Sequence, residues 1–100
     1  MQFTLTFSVS EEHIREGFPE NVERCAIALA LDDAGAERPT VDSNDIYLEL
    51  PQVEHGVMTG HNYWHARTPQ GIRDFIKAFD DPRVRQYCRP ARFTLHLESF

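Results

Sequence analysis

The sequence predicts a single α+β domain, with a sheet of roughly four strands, antiparallel or mixed, and helices packed on one face. Three observations carry this. Two segments near the ends alternate apolar and polar residues with a period of two: Phe3, Leu5, Phe7 and Val9 against Gln2, Thr4, Thr6 and Ser8, and Phe93, Leu95 and Leu97 against Thr94, His96 and Glu98. That period marks strands with one buried face. Between them, Ile72, Phe75, Ile76 and Phe79 fall at i, i+3, i+4 and i+7, the spacing of an amphipathic helix. The longest apolar run, Cys25-Ala26-Ile27-Ala28-Leu29-Ala30-Leu31, is built from helix formers and reads as a central buried helix.

In chain order, the first strand spans residues 2–9. Ser10 reads as an N-cap with Glu11 and Glu12 in the first helical turn, and the short helix stops at Gly17. Ile14 and Phe18 are its expected core anchors. Pro19 suits the start of a second helix, expected to run to about Ala34 and to end at the left-handed turn that Gly35 permits. A loop with a short strand at Thr40-Val41 follows. Ile46, Leu48 and Leu50 alternate with Tyr47 and Glu49 in a further strand, which Pro51 limits. Residues 51–62 show no period and read as the longest irregular stretch. Asn62–Arg67 reads as a strand pairing with 45–50. Thr68-Pro69 reads as a helix N-cap and first turn, and Asp80-Asp81-Pro82 as its end.

One hundred residues make one domain, 1–100, with a sizeable core. No apolar run approaches a membrane span, and the N-terminus lacks the pattern of a signal peptide, so the cytoplasm is the expected compartment. In a reducing compartment Cys25 and Cys88 are expected as free thiols, the first buried and the second in a loop whose arginines favour thiolate. The net charge of −6 disfavours nucleic acid and anionic membranes as partners. Four of the ten basic residues fall in 83–92, which holds no acid, so this segment carries +4 and the rest −10.

The chain resembles a family of small uncharacterised proteins encoded by actinobacteria and their phages. The matching residues are His13-Ile14, Gly17, the Cys25–Leu31 run, Thr68-Pro69, Ile72, Phe75-Ile76, Phe79-Asp80, Pro90 and Phe93-Thr94-Leu95. They span nearly the whole chain and are mostly core and capping residues. Where this chain has Ala26, family members carry proline; the difference suggests a helix that begins earlier here. Ala91 stands where they carry an aromatic. The resemblance implies no activity; its phage setting implies a small accessory protein that engages a host factor.

Four constellations are candidates for function. Arg83, Arg85, Arg89 and Arg92, with Tyr87 as a stacking face, could take an acidic or phosphorylated protein partner; alternatively they neutralise nearby acids such as Asp80, Asp81 and Glu98. Tyr63-Trp64 should place one ring outward as an interface anchor. His55, His61 and His65, with Glu54 and His96 as additions, form a local excess of ligands for zinc or a similar ion. On a strand, however, His61 and His65 lie about 13 Å apart. Glu11, Glu12, Glu16, Glu20, Glu23, Asp32, Asp33 and Glu37 could imitate DNA phosphates, or simply solvate helix faces. No nucleophile–base pairing or phosphate loop is apparent in the spacing. The expectation is therefore a non-enzymatic protein with no cofactor that binds another protein. A metal-binding protein or metal-dependent hydrolase is the alternative and an acidic DNA mimic a further one; two copies joined at an unprotected sheet edge are a further arrangement.

Overall fold

The structure is a computed structural model and describes residues 2–99. The first strand, β1 (Gln2–Val9), lies antiparallel to the last, β5 (Ala91–Ser99). Their alternating patterns mesh: Phe3 faces Leu97, Leu5 faces Leu95 and Phe7 faces Phe93, while on the other face the hydroxyls of Thr6 and Thr94 lie 3.0 Å apart. Between β5 and the far edge stand β4 (Val57–Arg67), β3 (Asp45–Glu54) and β2 (Glu37–Val41), giving the order β1-β5-β4-β3-β2 with antiparallel pairing throughout. The sheet therefore has five strands, one more than the sequence suggested, because the short Thr40-Val41 segment extends back to Glu37 as a paired edge strand.

Three helices, α1 (Glu11–Glu16), α2 (Ala26–Asp33) and α3 (Gln70–Asp80), supply the other layer. Ile27, Leu31, Ile72 and Phe79 join Val9, Ile46, Leu95 and Leu97 in a core whose sheet members all come from alternate strand positions. The opposite face of the sheet carries Thr4, Thr6, Tyr47, Tyr63 and Thr94, all exposed. Burial of the apolar positions contributes about 25 cal/mol per Å², which makes this one-sided core the principal source of stability.

Ser10 caps α1 as expected, but its partner in the capping box is a histidine. The Ser10 Oγ accepts from the His13 backbone N–H at 3.2 Å, and the Ser10 N–H donates to His13 Nδ1 at 2.9 Å. With Nδ1 accepting, the ring proton sits on Nε2 and is donated to Asp33 Oδ2 at 2.5 Å, tying α1 to the end of α2.

The second helix is shorter than the sequence suggested. Residues 19–24 form turns because Asn21 Oδ1 accepts the N–H groups of Glu23 and Arg24, each at 3.0 Å, and so offers the backbone an alternative to helix. The helix starts at Ala26 with Cys25 as N-cap, later than the Pro19 start that the sequence suggests. The C-terminus follows expectation. Gly35 has φ +103°, Ala36 N–H reaches Leu31 O at 3.0 Å and Gly35 N–H reaches Asp32 O at 3.1 Å, which is a Schellman motif. At α3, Pro69 rather than Thr68 is the N-cap. The Thr68 hydroxyl instead donates to Asp42 O at 2.8 Å, pinning the helix entry to the β2–β3 turn.

Candidate functional site

Residues 51–62, expected to be irregular, form the outer half of a long β-hairpin. β2 pairs with β3 only as far as Glu49, and β5 pairs with β4 at Trp64 and His65. Beyond those points β3 and β4 continue paired with each other to Glu54 and Val57 as an arm, and the molecule measures 48 × 23 × 20 Å. The arm projects about 17 Å, five residues at the antiparallel rise. His55 and Gly56 close it with φ of 52° and 78°, the two positive values of a type I′ turn. Pro51 is tolerated inside β3 because β2 has already ended and β3 is here an edge strand.

Among the described residues no helix lies beneath the arm, and its apolar residues stay largely exposed. Val53, Val57 and Met58 are 60%, 64% and 61% exposed. A β-bulge decides which of them share a face. Pairing runs Pro51↔His61 and Gln52↔Gly60, then shifts to Val53↔Met58, leaving Thr59 as the extra residue and Gly60 at φ +152°. Without the bulge Thr59 would stand opposite Val53. With it, Met58 and Val53 form one apolar pair on the face that also carries Tyr47, Glu49 and Tyr63. The Tyr47 and His65 rings lie 4.7 Å apart on this face. The result is a strip of aromatic and apolar side chains with polar neighbours, running from the open sheet face onto the arm. Anchors of this kind dominate protein interfaces.

The sequence-predicted residues distribute as follows. Tyr63 is exposed and belongs to the strip. Trp64 does not: at 5% exposure it lies on the helix side, 5.8 Å from the Phe3 ring, because adjacent strand residues point to opposite faces. The arginine run is largely engaged at home. Arg83 reaches Asp81 through Nε and Nη2, each at 3.2 Å, and holds the Asp81 carboxyl below its ordinary value. Arg85 donates from Nε to Phe79 O at 2.6 Å with its guanidinium 5.7 Å from the Phe79 ring centroid, closing the end of α3 onto the 3₁₀ turn Arg85–Tyr87. Arg89 bonds the carbonyls of Gln86 and Cys88, both at 3.2 Å. Tyr87 is exposed, and Arg92 is exposed on β5 opposite Ser8.

The histidines do not converge. His55 occupies the hairpin turn. His61 places Nε2 3.0 Å from Glu37 Oε2 and Nδ1 3.5 Å from Glu49 Oε1, whereas His65 Nε2 meets Asp45 Oδ1 at 2.7 Å. His61 therefore serves Glu37 and Glu49 while His65 serves Asp45, and the two rings share no carboxylate. Among the described residues no group of three or more His, Cys, Asp or Glu side chains is placed to hold a metal ion. The two cysteines are free, and both thiols are raised above the ordinary value. For Cys88 desolvation outweighs the attraction of Arg85 and Arg89, reversing the expectation that those arginines favour thiolate. For Cys25 burial outweighs the N–H groups of Ala28 and Ile27 at the start of α2. No described helix is long and apolar enough to cross a membrane.

Comparison with known protein families, curated proteins and solved structures finds no match for this chain.

Proposed function

We propose that this chain is a small non-enzymatic interaction protein that binds another protein through the β3–β4 arm and the adjoining strip of the open sheet face. The observation that carries the reading is the bulge-registered pair Val53 and Met58, held exposed on an arm with no core of its own. In the free molecule these side chains stay 60% and 61% exposed, and each further CH₂ buried against a partner is worth about 0.8 kcal/mol. The resemblance to actinobacterial and phage proteins favours a host protein as that partner. The arginine segment takes a lesser part in this reading, since Arg83, Arg85 and Arg89 already have acceptors.

Affinity capture from an actinobacterial lysate tests it. The wild type is compared with Val53→Lys/Met58→Lys on the arm and with Arg89→Glu/Arg92→Glu, which spares the Arg85 bond to α3. The expected result is a specific partner kept by the arginine variant and lost, by tenfold or more in recovery (about 1.4 kcal/mol or more), from the arm variant. A partner indifferent to the arm and lost with the arginines would return the interface to the basic segment.

A further inference from the structure

The two edges of the sheet are treated differently. β2 carries the devices that blunt an edge: Pro39, the charged pair Glu37 and Arg38, a register shift between Glu37 and Thr40, and Arg38 at φ +48°. β1 carries none of them. Gln2–Val9 is eight residues without proline or charge, paired with β5 in one unbroken register, and no described strand lies on its other side. An edge this long, neutral and unbroken in register is a template for one more strand. Its apolar face is also incompletely covered. Phe7 and Val9 are buried under the helices, Leu5 only in part, and Phe3 is 43% exposed.

We propose that β1 pairs antiparallel with β1 of a second copy, joining two sheets into one across a two-fold axis. For the helices of both copies to stay on the same side, residues opposite one another must share a face. Placing Leu5 at the axis sets Phe3 against the partner copy's Phe7 and Thr4 against its Thr6, repeating the apolar and threonine pairs that β1 already makes with β5. Charge favours this partner over an arbitrary strand. β5 presents Glu98 beside Gln2 and Arg92 beside Ser8. Two-fold antiparallel pairing therefore brings the acidic end of one copy toward the basic end of the other at both ends. It does so on a stretch with no charge of its own, in a chain whose net charge of −6 opposes self-association elsewhere.

Sedimentation velocity on the whole chain, from low micromolar to near-millimolar concentration, tests the proposal. The wild type should pass from monomer to dimer. Thr4→Lys/Thr6→Lys, at two exposed positions on the sheet face away from the helices, sets lysines directly opposite lysines and should weaken association by roughly tenfold or more. Hydrogen exchange on the same samples reads the location and the fold of the variant. Alternate β1 amides should gain protection as the wild-type concentration rises, while core amides of α3 and β3 match in both proteins. Val53→Lys/Met58→Lys should dimerise like the wild type, which separates this edge from the arm. A wild type that stays monomeric throughout would overturn the proposal. So would a dimer that survives the lysine pair, or one whose protection appears on β2 or the arm.

Discussion

Replacing Gly17 by alanine tests the packing between α1 and α2 at its tightest point. Gly17 has φ −68° and ψ 148°, a conformation open to any residue, so backbone strain is not the reason for glycine here. Space is. A Cβ at this position would lie 2.7 Å from Ala26 N, 2.9 Å from His13 O and 3.0 Å from Ala26 Cα. All three are backbone atoms. His13 is held by Ser10 and Asp33, and Ala26 is fully buried at the start of α2, so neither side can yield without moving a helix. Overpacking of this kind costs about 1–3 kcal/mol, and the lower entropy of an unfolded alanine returns about 0.4–1 kcal/mol. With both effects at mid-range the net loss is about 1.3 kcal/mol, or about 5–10 °C in Tm for a domain of this size. Urea and thermal unfolding followed by circular dichroism would measure it, with an unchanged urea slope showing that the unfolded state is the same. Gly71→Ala is the matched control. Its nearest contact would be Phe93 Cε1 at 3.6 Å, an ordinary packing distance, and it lies within α3, so alanine there should raise stability by about 0.5–1 kcal/mol. A Gly17→Ala protein as stable as the wild type would refute the close-approach argument.

Two further predictions concern titration. Because burial raises the Cys25 thiol above its ordinary value of 9.0, the unfolded chain releases this proton first; the stabilisation is complete below pH 9 and is lost as pH rises through 9 toward the folded-state value. Denaturant midpoints should fall with pH in that window, and Cys25→Ala should flatten the fall; an equal slope in both proteins would contradict the burial argument. Asp81 is held low chiefly by the Arg83 side chain, so its contribution is present above the ordinary value of 3.8 and fades as pH falls through the lower folded-state value. In Arg83→Ala the Asp81 carboxyl, followed by NMR titration, should move up toward that ordinary value; no movement would mean that the ion pair does not form in solution.

What the sequence made legible was whatever the core enforces. β1, β5 and α3 each bury one face, and their periods gave the elements and their inward residues directly. The arm was not legible for the complementary reason. With both faces of residues 53–58 open to solvent, no burial imposes alternation, and the bulge at Thr59 and Gly60 shifts the phase of what alternation there is. The clue present was His55-Gly56 between two apolar-bearing segments, a weaker turn signal than Asn-Gly but satisfying the same two positive φ values. The second helix is shorter than its sequence suggests because the acidic and proline residues of 19–23 suit a helix start, while the Asn21 side chain diverts the backbone into turns. The arginine run stood out as a charge excess; only coordinates reveal that Phe79, Gln86 and Cys88 supply carbonyl acceptors for two of its members. Trp64 could be assigned to a strand from sequence, but which of Tyr63 and Trp64 faces the core depends on the register with β3, which sets Trp64 opposite Leu48.

The most direct measurement is a hydrogen-exchange footprint of the whole chain with the captured partner bound. Added protection is expected across residues 53–60 and around Tyr47 and Tyr63, with the Arg85–Arg92 segment unchanged. Protection confined to the 3₁₀ turn and the arginines, with the arm exchanging as in the free protein, would contradict it.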